Sequence, residues 1–274
     1  MTSPVPVTIL GLGLMGGSLA RDLSARGVRV SAYDPSSDIL RDAVQSGVVQ
    51  IALTEDASPL SGIVILATPV DVTLDLLPAL SSRLDPTALV SDLGSTKSMI
   101  CKAAIQSGLG ERFVGSHPLA GDHRSGWSAS RAGLYENAMV FLCPTATTTK
   151  HARREMASFW ESVGGAPVEI DADDHDNRMA WISHLPQLVA SSLATTLAGG
   201  GYGPSDLGPG GRDMTRLASS SAQIWTAIAR SNATSLSQAL TEFQSRIASF
   251  VEALRDDDPE AIQELFRQAS DWAS

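Results

Sequence analysis

His117 sits in Gly115-Ser116-His117-Pro118-Leu119-Ala120-Gly121, just past an apolar run that reads as a sheet strand, where an α/β fold builds its crevice. An imidazole titrates near neutrality and can take a proton from a substrate hydroxyl, so this histidine is a candidate general base. His184 sits in Ser183-His184-Leu185-Pro186-Gln187, inside an apolar helical stretch. Pro186 lacks an amide donor and frees the carbonyl of Ile182, so the helix is expected to kink there. Polar Ser183, His184 and Gln187 gathered at a kink in an apolar helix are more than packing requires. In Asp92-Leu93-Gly94-Ser95-Thr96-Lys97, Ser95 could bond either a catalytic histidine or a cofactor amide, while Lys97 reads as decoration of a helix start. Arg212-Asp213-Met214-Thr215-Arg216 offers guanidinium groups able to hold a carboxylate in bidentate fashion. No metal site is expected: Asp122 and His123 with His117 lack a second ligand pair.

Gly11-Leu12-Gly13-Leu14-Met15-Gly16-Gly17-Ser18 follows an apolar run and opens a helical one. Gly11 permits a tight turn, Gly13 lets backbone approach a pyrophosphate, and Gly16 lets helix and strand pack closely. Asp34 closes the next apolar run, where its carboxylate can accept both ribose hydroxyls and would repel a 2′-phosphate. NAD is therefore expected over NADP. Leu14 and Met15, with Thr68 and Pro69 beyond a later apolar run, are the other expected cofactor contacts.

The elements that must position these groups can be read from periodicity. Apolar runs at 5–10, 28–33, 63–67, 88–91, 113–115, 139–142 and 167–170 read as strands. Helical spacing fills 18–25, 38–45, 72–82, 97–107 and 150–163 between them. This alternation, with strands too apolar to face water, predicts an α/β domain: a Rossmann-type, mostly parallel sheet covered by helices on both faces. After residue 171 the spacing is helical almost to the end, broken by a glycine-rich stretch at 199–211, with one helix expected over 222–254 and another over 259–272. The domains are placed at residues 1–170, for the dinucleotide, and 171–274, an all-α domain.

With 20 Lys+Arg against 30 Asp+Glu, the net charge of −10 argues against binding nucleic acid nonspecifically. No apolar run approaches the ~20 residues of a membrane span, and no leader pattern opens the chain. Two cysteines, Cys101 and Cys143, lie far outside paired spacing, which fits a reducing cytoplasm.

Taken together, 11–18, 92–97, 115–121, His175-Asp176, 183–187 and 212–216 resemble the prephenate/arogenate dehydrogenase family of tyrosine biosynthesis, over nearly the whole chain. The resemblance implies NAD-dependent oxidative decarboxylation of prephenate to 4-hydroxyphenylpyruvate. The alternatives are arogenate as substrate, or a non-enzymatic dinucleotide-sensing regulator. It also implies that His117 bonds the ring hydroxyl, that Ser95 orients His117 and meets the nicotinamide, and that His184 and Arg216 hold substrate carboxylates. Further implications are a homodimer through the helical domain, with Arg216 a candidate to serve the partner's site. The chain departs from the family at His123, where relatives usually carry an acid, and at Gly211, where they carry an aromatic residue. The β-hydroxyacid dehydrogenases begin with a similar glycine loop, but their scheme needs a lysine in the helical half. This chain has Lys97, Lys102 and Lys150 and none there.

Overall fold

The computed structural model describes residues 5–121 and 124–273. Its strands are β1 (Val7–Leu10), β2 (Val30–Tyr33), β3 (Ile51–Ala52), β4 (Ile63–Leu66), β5 (Leu89–Asp92), β6 (Phe113–Pro118), β7 (Met139–Pro144) and β8 (Ala166–Glu169). They form one sheet in the order β3-β2-β1-β4-β5-β6-β7-β8. Every pairing is parallel except β6 with β7.

Why the central strands β1 and β4 are so apolar follows from their two-residue period and two covered faces. In β1 and β4, Val7, Ile9, Ile63 and Ile65 enter one apolar layer. Their neighbours Leu10, Val64 and Leu66 enter the opposite one. Helices α1 (Leu14–Ala25), α2 (Ser37–Gln45) and α5 (Lys150–Ser162) cover the first face with Leu19, Ala43 and Trp160. Helices α3 (Val70–Leu80) and α4 (Ser98–Gln106) cover the second with Leu77 and Ile100. The short β3 escaped the sequence pattern because it has two residues and both are exposed.

The other departure matters for the site. The strand expected at 113–115 continues to Pro118, so His117 lies within β6 rather than after it. The cause is the antiparallel partner: β7 pairs His117 with Phe141 and Pro118 with Val140, extending β6 beyond its parallel register with β5.

The segment from β6 to β7 is strapped across α1. Ser18 and Asp22 accept the amides of Arg131 and Gly133 at 3.0 and 2.7 Å, and the Arg21 guanidinium lies 4.2 Å from the Trp127 ring centre. A side chain at Gly17 would meet Trp127 at 2.8 Å, so only glycine lets the strap lie so close.

The helical half begins at α6 (Ala172–Met179), whose first amides are accepted by the Asp171 side chain. A widened π turn at Ala180–His184 leads into α7 (Leu185–Gly199), just before Pro186, which has no amide to donate to the preceding turn. Helices α8 (Pro209–Thr215), α9 (Ala222–Ser231), α10 (Ala233–Arg255) and α11 (Pro259–Ala273) follow. The single helix expected over 222–254 is two helices, broken at Asn232 with φ −124° and ψ 33°. Asn232 turns its amide inward to the site, and that contact fixes the break. No helix among the described residues is long and apolar enough to cross a membrane.

Candidate active site

Strand order reverses between β1 and β4, which opens a crevice at their carboxyl ends. Gly11 holds φ +99°, and a side chain there would lie 2.6 Å from the Ala67 carbonyl. One at Gly16 would lie 2.0 Å from the Gly11 carbonyl, so this glycine is what seats α1 against the loop. Gly13 is different. Nothing lies within 4 Å of where its Cβ would be, so the loop's outer face is open. Helix α1 starts at Gly13 with no side-chain cap, leaving its first amides for an anion. Asp34 ends β2's turn with its oxygens accepting the amides of Leu12 at 2.8 Å and Ser36 at 2.9 Å. An open glycine loop, uncapped amides and an anchored carboxylate fit a dinucleotide.

Beside the loop is a cavity of about 660 Å³. Gly13, Leu14, Met15, Thr68 and Pro69 line its sheet side together with Ser95. Gln187 and Arg216 line its helical side, with Trp225 and Leu217. The Gln187 amide is held by the Leu217 carbonyl at 2.7 Å and by the Ser220 hydroxyl at 3.2 Å. Among the described lining residues the charged ones are Arg124 and Arg216, with no carboxylate. Gly11, Gly16, Asp34, Ser183, His117 and His184 do not line this cavity. His117 lies three residues before the lining residue Ala120 in sequence, and His184 lies edge-on to the lining residue Trp225 with ring centres 5.9 Å apart. His123 lies outside the described residues.

The two histidines are joined by a buried chain of hydrogen bonds. His117 Nδ1 is 2.9 Å from His175 Nε2, and His175 Nδ1 is 2.8 Å from Asp176 Oδ1. Asp176 also accepts the amides of Lys97 at 2.7 Å and Ser98 at 2.9 Å, which open α4. Its carbonyl accepts the Asn232 side-chain amide at 2.7 Å, and that amide nitrogen is 3.2 Å from His184 Nδ1. The bond orienting His117 therefore comes from His175, whereas Ser95 takes its place on the cavity wall.

Burial sets the charge of this chain. Desolvation, with His175, Lys97 and His184 nearby, holds His117 well below the ordinary imidazole value. Burial likewise lowers His175, against the opposing pull of Asp176, and lowers His184 to about 4. Burial alone would raise Asp176, but the bonds from His175, Ser98 and Lys97 outweigh it and hold the carboxyl below its ordinary value. All three rings are therefore neutral beside an ionised carboxylate at pH near 7.

Lys97 does not decorate a helix start. It is fully buried, paired with Asp92, and donates to the Ser116 carbonyl at 3.0 Å. Gly115 makes room for it: a Cβ there would meet the lysine stem at 3.1 Å. Sequence reasoning also assigned no role to His175, Trp225 or Asn232. His175-Asp176 was legible as a motif, but the contacts that give these residues meaning link positions up to 79 apart.

The family model described as the prephenate dehydrogenase nucleotide-binding domain matches residues 19–169, and that described as the prephenate dehydrogenase dimerization domain matches residues 171–268. Prephenate dehydrogenase of Bacillus subtilis is 32% identical over 97% of this chain and 74% of its own length. The crystal structure of prephenate dehydrogenase from Aquifex aeolicus, in complex with hydroxyphenyl propionate and NAD+, superposes with a TM-score of 0.88 at 32% identity, covering 98% of this chain and 96% of that one. The Synechocystis arogenate dehydrogenase structure gives 0.82 at 28% identity, with 97% of each chain covered.

Proposed function

Because this chain belongs to the prephenate dehydrogenase family, we propose that it catalyses the NAD-dependent oxidative decarboxylation of prephenate to 4-hydroxyphenylpyruvate. The observation carrying this reading is the cavity wall: the open glycine loop and Ser95 on one side, Arg216 on the other, and no carboxylate among the described lining residues. Prephenate is a dianion, whereas arogenate carries an ammonium that would call for an acid. Asp213, the nearest acid in sequence to Arg216, is exposed and off that wall.

Bound NAD, held by Gly11, Gly13, Leu14, Met15, Gly16, Asp34, Thr68 and Pro69, supplies the hydride acceptor. Arg216, with Ser183, His184 and Gln187, binds and orients the substrate's acid groups against the protein's overall negative charge. His117 takes the ring hydroxyl's proton as carbonyl character develops on that carbon. It returns the proton to the phenolate oxygen left when the ring carboxylate departs as carbon dioxide. The proton is borrowed, and none is consumed overall. Ser95 meets the reacting end of the cofactor.

We take residues 1–170 as the dinucleotide domain and 171–274 as the substrate and dimerisation domain. The protein is a homodimer through the latter, which exposes Leu254, Phe266 and Trp272 on α10 and α11. Two free, buried thiols support a cytoplasmic setting. The test is reduction of NAD or NADP with prephenate or arogenate, followed by near-ultraviolet absorbance. Prephenate with NAD is expected to give the highest kcat/KM. No reduction with either acid would overturn the reading.

A further inference from the structure

Asp176 lies on α6, is almost fully buried, and touches both halves of the molecule, yet it does not reach the cavity. Its ionised carboxylate can only accept hydrogen bonds. Oδ1 accepts the Lys97 amide and Oδ2 the Ser98 amide, so His175, 2.8 Å from Oδ1, must present a proton at Nδ1. A neutral His175 then has a lone pair at Nε2, and His117 Nδ1, 2.9 Å away, must donate to it. His117 is left with its lone pair at Nε2.

The same residue fixes the second ring through its main chain. A carbonyl only accepts, so the Asn232 atom 2.7 Å from the Asp176 oxygen is the amide nitrogen. That nitrogen is 3.2 Å from His184 Nδ1, which must therefore carry the lone pair. The proton of a neutral His184 is then on Nε2, a buried atom with no partner among the described residues. It is a donor awaiting an acceptor.

We propose that Asp176, with His175 and Asn232, is a positioning centre that sets the site's two histidines in opposite tautomers, His117 accepting at Nε2 and His184 donating at Nε2. This rests on the proposed reaction and adds a division of labour to it. When the substrate O–H bond breaks, its proton forms an N–H bond at His117 Nε2. The Nδ1 proton can then pass to His175 Nε2, placing the positive charge beside the Asp176 carboxylate. Re-protonation of the phenolate oxygen runs the chain backward. Among the described residues, the charged or titratable groups facing His117 are His175, Lys97 and His184, and those facing His175 are Asp176, Lys97 and Asp92. Asp176 is the anion that adjoins the chain directly, so its loss strands the relay.

Imidazole ¹⁵N shifts of the full-length protein, assigned with single-histidine variants, read the tautomers directly. His117 is expected to be protonated at Nδ1 and bare at Nε2, and His184 the reverse. Asp176→Asn is expected to abolish the fixed His117 tautomer and lower kcat by about 10²–10⁴-fold, with little change in KM and substantial recovery in Asp176→Glu. Asn232→Ala is expected to scramble His184 alone and to raise KM. A proton on His117 Nε2 in the unmodified protein would overturn the proposal, as would Asp176→Asn retaining both tautomer and kcat. The nitrogen shifts need no turnover, so a chain that does not oxidise prephenate would sink the functional reading while still testing this one. If Asp176→Asn does not fold, the shifts of the unmodified protein decide alone.

Discussion

At the scale of residues, the division between binding and chemistry can be measured. Arg216 is the helical half's cation on the cavity wall, and a charge-assisted bond to a carboxylate is worth roughly 1.5–3 kcal/mol. Arg216→Ala is expected to raise KM about ten- to a hundredfold with kcat largely kept, in steady-state kinetics with prephenate. His117→Ala should do the opposite, lowering kcat by about 10²–10⁴-fold. An unchanged kcat would remove it from the chemistry. Residue types told much of this in advance: a histidine among turn formers, a histidine near a helix-breaking proline, an arginine in a sparsely charged stretch. They could not tell that Lys97 is buried, because the space for its stem is made by Gly115 on a different strand. Nor could they tell which group orients His117, since Ser95 and His175 are both chemically able to do so and only the fold selects between them.

At the scale of elements, the glycine loop separates folding from binding. Gly16→Ala would drive a methyl into the Gly11 carbonyl, and Gly11→Ala would do so into Ala67 at an unfavourable φ. Both are expected to lower Tm and weaken NAD. Gly13→Ala meets open space, so Tm should hold while calorimetric affinity for NAD falls, because the methyl stands where the pyrophosphate approaches. Equal NAD affinity in that variant would mean the diphosphate does not pass over Gly13. Strands and helices of the sheet half could be read because each apolar run feeds two core layers and each helix feeds one. The division between α9 and α10 could not, because 222–254 has a continuous helical apolar pattern. What interrupts it is an amide drawn toward Asp176 and His184. The extension of β6 was hidden for a similar reason: its length is set by β7, a partner some twenty residues on.

At the scale of the whole molecule, three neutral histidines in one region couple stability to acidity. Burial holds His117, His175 and His184 below 6.5, with His184 at about 4. Between about pH 4 and 6.5 the unfolded chain therefore binds more protons than the folded one, and stability rises with pH through that window. Denaturant titrations are expected to give a lower midpoint near pH 5 than near pH 7, and equal midpoints would mean that the rings titrate as if exposed. The Asp176 carboxylate also has a mechanical consequence. It belongs to the helical half but is bonded to the opening amides of α4 in the sheet half. Opening the molecule at that seam would exchange two buried, charge-assisted bonds for water, so this carboxylate is a pin holding the two halves in register.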